Sequence, residues 1–265
     1  MLVPKDMFED YEVDGVVGHG GYATVYRAHR VSEPGGTVAL KVLDDHHHDP
    51  LHMTRLQREF EFAKRLNHPH VVTMYDCGPG WLSMELVTGG TVTALASRDD
   101  RMTALAQVAD ALDHAHELGI VHCDVKPANI LVAHDFSADG AFLSDFGSAR
   151  AVTDQFDRHT GQIEASLPYA APEVLHGRAP TAASDEYSLA CTCVEMLTGS
   201  PPFTAVTVMA LVDDHLNSPV PRYSRRIEWI PSAFDSILAK AMAKDPDFRY
   251  QSCSELIFLI RRAIR

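Results

Sequence analysis

Residues 121–131 run Val121-His122-Cys123-Asp124-Val125-Lys126-Pro127-Ala128-Asn129-Ile130-Leu131. An aspartate, a lysine two residues on and an asparagine five residues on stand between two apolar patches. Asp124 can accept a hydrogen bond from an attacking hydroxyl, and Lys126 can offset negative charge on a moving group. Asn129 offers a carbonyl oxygen suited to a hard divalent cation such as Mg2+. A plain polar loop between helix and strand needs no such ordering. Just beyond, Ser144-Asp145-Phe146-Gly147 follows the short apolar stretch 141–143, and Asp145 is placed to chelate Mg2+.

Working back toward the N-terminus, Val38-Ala39-Leu40-Lys41 closes an apolar strand. A lysine there is ordinarily a solvated edge charge. It gains interest from Glu59 on the next helix, with Glu61 as a competitor for the same ion pair. Upstream, Gly18-His19-Gly20-Gly21-Tyr22-Ala23-Thr24-Val25 lies between two expected strands. Glycines in such a turn let backbone N–H groups approach phosphates, although Gly-rich hairpins are common for other reasons.

The patterning around these motifs changes from strand to helix. Residues 11–18, 23–30 and 37–43 are short, β-rich and separated by Gly or Pro. Leu56, Phe60, Ala63 and Leu66 predict a helix over 53–66. Residues 71–77 and 81–87 predict two more strands about a Gly78-Pro79-Gly80 turn. Past Gly89-Gly90 the sequence is helical. Leu105, Val108, Ala109, Leu112, Ala115 and His116 share one face, and Gly119 stops that helix. Further helices are expected over 181–198, 206–216, 232–242 and 254–262.

The 265 residues are 46% apolar and 22% charged, enough for one large domain or two lobes sharing a cleft. A formal charge of −13 opposes nucleic-acid or anionic-membrane partners. No apolar run is long enough to cross a bilayer, and the acidic start MLVPKDMFEDYE does not resemble a signal peptide. A cytoplasmic location is expected. The five cysteines have no zinc-type spacing and are expected to be reduced, with Cys191 and Cys193 as small core residues. His46-His47-His48 with Asp49 and His52 could suggest metal binding or pH sensing, but short His tracts are usually polar linkers.

In this order the motifs resemble the eukaryotic-type (Hanks-type) serine/threonine protein kinase family, over residues 11–262. Ala171-Pro172-Glu173, Asp185 within Ser184-Asp185-Glu186-Tyr187-Ser188-Leu189, and Arg249 within Asp245-Pro246-Asp247-Phe248-Arg249 fit it. Lys126-Pro127 resembles serine/threonine rather than tyrosine kinases, and Gly20-Gly21 with residues 67–72 has a bacterial flavour. The resemblance implies an α+β, bilobal protein-kinase fold. A β-rich N-lobe with one regulatory helix is expected over 1–86, and an α-helical C-lobe over 87–265. It also implies transfer of the ATP γ-phosphoryl group to Ser/Thr hydroxyls of protein substrates, and it allows self-phosphorylation and a homodimer. ATP and Mg2+ are the implied cofactors, with Mn2+ as an alternative ion.

The resemblance further assigns roles by position. Asp124, Lys126, Lys41, Glu59 and Ser166 are the expected catalytic set, and Asn129 and Asp145 the metal ligands. Val17, Gly18, His19, Gly20, Gly21, Tyr22, Ala23, Thr24, Val25, Ala39 and Lys41 would line the nucleotide. Met84 would be the gatekeeper, Glu85, Leu86 and Val87 the hinge, and Leu131 the floor of the adenine pocket. Three departures stand out. Ala23 replaces a glycine, and Ser166 replaces a threonine. Cys123 replaces the arginine that grips an activation-loop phosphate, so phosphorylation of Ser148, Thr153 or Thr160 is not expected to be the main switch. A redox role for Cys123 is the weaker alternative, because a buried thiol without a cation beside it is inert. The rival functions are a pseudokinase or nucleotide-binding scaffold, and a small-molecule phosphotransferase. The latter usually lacks Lys126-Pro127 and the Ala171-Pro172-Glu173 closure.

Overall fold

The structure is a computed structural model that describes residues 1–32, 35–152 and 166–265. Six antiparallel strands form the N-terminal sheet: β1 (Met7–Phe8), β2 (Tyr11–His19), β3 (Ala23–Arg30), β4 (Thr37–Leu43), β5 (Met74–Gly78) and β6 (Trp81–Glu85). Their order is β1-β2-β3-β4-β6-β5. Successive side chains of a strand point to opposite faces, and the burial pattern follows. Val38, Leu40 and Trp81 join Tyr11, Val13, Tyr26 and Ala28 in a small outer cluster. Leu43 and Leu82 belong instead to the main core. Lys41 therefore faces inward with Leu43. The register places Val25 opposite Lys41 and Lys41 opposite Leu82, with Ala39 opposite Met84. The side chains expected around a nucleotide thus share one face of the sheet.

Helix α1 (Pro50–Arg65) packs under this sheet. It begins three residues before the expected 53. Pro50 supplies a pre-set φ in the first turn, and the Asp49 side chain accepts from the amides of Leu51 and His52. The His-rich stretch is therefore the entry to a capped helix. The expected strand over 71–77 is shorter, starting at Met74; Val71 instead makes a parallel bridge to Leu143.

The C-terminal half is helical. Helix α2 (Arg98–Glu117) and α5 (Ala182–Thr198) form its centre, with α6 (Val208–Asn217), α7 (Ser232–Ala241) and α8 (Cys253–Ala263) around them. Among the described residues, two short helices, α3 (Phe136–Asp139) and α4 (Pro172–Leu175), complete the set. Two small hairpin-like pairs, β7 (Ile120–Val121) with β10 (Arg150–Ala151) and β8 (Ile130–Val132) with β9 (Ala141–Leu143), carry the central motifs. Helix α5 is buried on nearly every side, and Tyr187, Leu189, Ala190, Cys191, Cys193 and Val194 have no exposed surface. A helix buried all round is a scaffold post. All five cysteines are free thiols.

Candidate active site

The sheet and helix α1 first bring Lys41 and Glu59 together. Lys41 Nζ lies 2.6 Å from Glu59 Oε2 and 3.7 Å from Asp145 Oδ1. Glu61 instead accepts a hydrogen bond from Gln57 on the exposed side of the same helix. Burial works against the Lys41 ammonium, but Asp145 and Glu59 outweigh it and hold lysine well above its usual range. Burial likewise pushes Asp145 up, and Lys41, His122 and Lys126 more than offset it, so its carboxyl stays below the usual range. Glu59 is raised by burial, with the Lys41 ammonium opposing. The net effect is a fixed positive charge beside an ionised carboxylate at the mouth of the cleft.

The second cluster is the turn between β7 and β8. Lys126 Nζ donates to Asp124 Oδ2 at 2.7 Å and to Ser166 Oγ at 2.7 Å, and Ser166 Oγ donates to Asp124 Oδ1 at 3.1 Å. Asn129 Nδ2 donates to Asp124 O at 2.8 Å and to Asp124 Oδ2 at 3.0 Å. Its amide nitrogen is thereby committed to Asp124, which leaves the amide oxygen as the acceptor end. With the Asp145 carboxylate, that oxygen makes a hard-donor set fitting Mg2+. The serine at position 166 keeps the hydroxyl bonds expected of a threonine.

Two non-glycine residues here take left-handed backbone, Cys123 (φ 67°) and Asp145 (φ 63°). Such conformers persist where surrounding structure over-determines them. For Cys123 the cause is Asp185, fully buried on α5. Its carboxylate accepts from the His122 amide at 2.7 Å and the Cys123 amide at 2.8 Å. For Asp145, its own side chain accepts from the Gly147 amide. Burial, then the nearby Asp185 carboxylate, push the Cys123 thiol well above its usual range; Arg150 opposes them, so the thiol has a cation near it that the sequence did not suggest. Thr153 and Thr160 lie outside the described residues; Ser148 is half-buried next to Gly147.

The Gly-rich turn closes over this space. Gly20 N donates to Ala23 O at 2.8 Å, and Asp44 N to Tyr22 O. The Tyr22 ring lies 5.5 Å from Lys41 Nζ and 5.3 Å from the His52 ring. Burial pushes its hydroxyl up to about 12. His19 Nδ1 and Asp44 Oδ1 both bond the Thr24 hydroxyl, fixing the second half of the turn. Gly18 and Gly21 have open space where a Cβ would stand, and Val17 is exposed. At the other end, the Glu85 amide donates to Thr73 O at 2.8 Å and is thereby committed. Leu86 and Val87 continue to Gly89, whose amide donates to Val132 O beside Leu131.

Residues not assigned from the sequence complete the site. His122 is fully buried, with Nε2 3.0 Å from Ser144 O and its ring 4.7 Å from Phe146. It ties the two motifs to each other, and its place inside residues 121–131 is the available signal. His116 Nε2 is 2.8 Å from Asp185 Oδ2, a third donor to that carboxylate. Glu173 and Arg249, by contrast a pairing that the family resemblance already implies, form a buried two-pronged pair at 2.7 and 2.8 Å, with Ser184 Oγ donating to Glu173. The His46–48 tract does not converge on Asp49 and His52 as ligands; among the described residues the one group with close donor atoms lies elsewhere.

The protein kinase domain model matches residues 11–257. The serine/threonine-protein kinase PknH of Mycobacterium bovis is 38% identical over 97% of this chain and 44% of its own length. PknE of Mycobacterium tuberculosis is 38% identical over 94% of this chain and 45% of its own length. The chain thus spans less than half the length of these relatives. The crystal structure of the Mycobacterium tuberculosis PknI kinase domain superposes with a TM-score of 0.73 at 28% identity, covering 99% of both chains. With its two clusters facing one cleft between a β-rich and an α-helical lobe, the chain belongs to the protein kinase domain family.

Proposed function

We propose that this chain is a serine/threonine protein kinase that transfers the ATP γ-phosphoryl group to Ser/Thr hydroxyls of protein substrates. The observation that carries the proposal is the convergence of Lys41, Glu59 and Asp145 with Asp124, Lys126, Asn129 and Ser166 on one cleft. Lys41, held by Glu59, positions the α and β phosphates. Asp124 orients the acceptor hydroxyl and takes its proton at a carboxylate oxygen. Lys126 steadies the γ-phosphoryl oxygens, and Ser166 holds Lys126 and Asp124 in register. Residues 18–25 cover the nucleotide and exclude water, while Val25, Ala39, Met84 and Leu131 enclose the base. Asn129 and Asp145 would hold Mg2+, or Mn2+, whose charge would neutralise the phosphates. Positioning and electrostatics supply most of the acceleration in such a site.

The reading divides the chain into an N-lobe over 1–86 and a C-lobe over 87–265. It includes self-phosphorylation, homodimer formation and a cytoplasmic location; no helix among the described residues is long and apolar enough to cross a membrane. Because Cys123 cannot grip a phosphate, activity should survive alanine at both Thr153 and Thr160. Transfer of labelled phosphate from ATP to the chain itself or to a basic protein tests the main claim, with Asp124→Ala as the silent control. Nucleotide binding without any transfer would favour the scaffold reading.

A further inference from the structure

Behind the catalytic turn, three side chains of different chemistry meet. Asp113 and His116 stand three residues apart on α2, a spacing that puts them on one helix face. Cys253 is the first residue of α8, which packs against α2. One donor atom from each lies within 4.8 Å of the other two, and no other group among the described residues does this with three His, Cys, Asp or Glu. We propose that Asp113, His116 and Cys253 form a zinc site, with water completing the coordination.

The donor set is one carboxylate oxygen, one imidazole nitrogen and one sulfur, the ligand types Zn2+ takes in tetrahedral sites with an open position. The surroundings fit as well. His116 Nε2 is engaged by the buried Asp185 carboxylate at 2.8 Å. A metal-bound histidine characteristically gives its other ring N–H to such a carboxylate, and that bond leaves Nδ1 with its lone pair for the ion. The Asp113 oxygens accept from the amides of Cys253 and Ser254 at 2.8 and 2.9 Å. These bonds fix the carboxylate; the Cys253 thiol also bonds it, and loss of the thiol proton on coordination would free that lone pair for the ion. Burial pushes the Cys253 thiol well above its usual range, with Asp113, Asp185 and Glu186 adding to the effect. The Asp113 and Asp185 carboxylates make a negative field in which a divalent cation is welcome. Coordination would release the thiol proton to solvent and leave the thiolate on the metal.

The site would act on the catalytic turn through one residue. Asp185 accepts from His116 and from the amides of His122 and Cys123. Metal on His116 would make its N–H a stronger donor to Asp185 and stiffen that brace. The inference rests on the fold and not on the proposed phosphotransfer.

The test is titration of the whole chain, under reducing conditions without nucleotide, with Co2+ and then Zn2+. Wild type should take one equivalent of Co2+ with a near-ultraviolet thiolate-to-cobalt band and strong visible bands of a four-coordinate ion, and Zn2+ should abolish both. Cys253→Ser, checked for folding by circular dichroism, should lose the thiolate band and bind Zn2+ more than about 100-fold more weakly, beyond the 10–100-fold typical of outer-shell losses. Zn2+ should raise the melting temperature of wild type and not of Cys253→Ser. No band in wild type, or a band that persists in Cys253→Ser, overturns the site. Should the serine variant fail to fold, Cys253→Ala serves with the same readouts.

Discussion

Glu186 sits on α5 with 2% of its surface exposed. Its Oε1 accepts from the Tyr250 amide at 3.0 Å. Burial outweighs this bond and the nearby Arg249, and pushes the carboxyl from 4.5 to about 8. A carboxyl raised on folding keeps its proton in the native state when the unfolded chain has lost it. Stability is therefore greatest below the unfolded value of 4.5, falls as pH rises between there and about 8, and levels off above. At about 1.4 kcal/mol per pH unit, the loss between about pH 6 and about pH 9 is roughly 2–3 kcal/mol. Glu186→Gln keeps an amide oxygen for Tyr250 and removes the titration. The assay is urea unfolding of both proteins across that range, taking the difference between them so that histidines common to both cancel. Wild type should lose roughly 2–3 kcal/mol relative to Glu186→Gln on going from about pH 6 to about pH 9. A difference that does not change with pH would refute the reasoning, since it would mean that the carboxylate is already ionised in the fold.

Other expectations follow from individual contacts. Ser166→Ala removes the hydroxyl shared by Lys126 and Asp124; kcat should fall about tenfold, because the direct Lys126–Asp124 bond remains, and Ser166→Thr should restore it. Arg249→Met strands Glu173 in a site where both side chains are nearly sealed from water; thermal or urea unfolding should register a loss of about 3–5 kcal/mol. Gly89→Ala would set a Cβ 2.3 Å from Ala133 O and 2.5 Å from Val132 O, against backbone that cannot swing aside. Unfolding should show a cost of about 1–3 kcal/mol, with altered nucleotide affinity by calorimetry, since Leu131 lies in the same strand as Val132.

The sequence is most legible where chemistry is contiguous. Asp124, Lys126 and Asn129 lie within six residues, and their mutual bonds follow from the tightness of the turn. Period-two alternation along β4 is enough to turn Lys41 inward. Helix α1 starts earlier than its apolar periodicity places it, and Asp49-Pro50, a cap and a first-turn proline, is the local signal for that start. What cannot be read is set by distance along the chain. Nothing local tells that His116 meets Asp185, 69 residues away, or that His122 bonds the Ser144 carbonyl 22 residues on. The left-handed backbone of Cys123 is equally hidden, because cysteine has no preference for it; the buried carboxylate behind imposes it.

The bond from the Glu85 amide to Thr73 has a consequence for selective inhibition. A heterocycle offering a lone pair to that amide would face a donor already spent on Thr73. If the proposed nucleotide pocket lies there, compounds that seek no donor from Glu85 are the chemotypes it should reward.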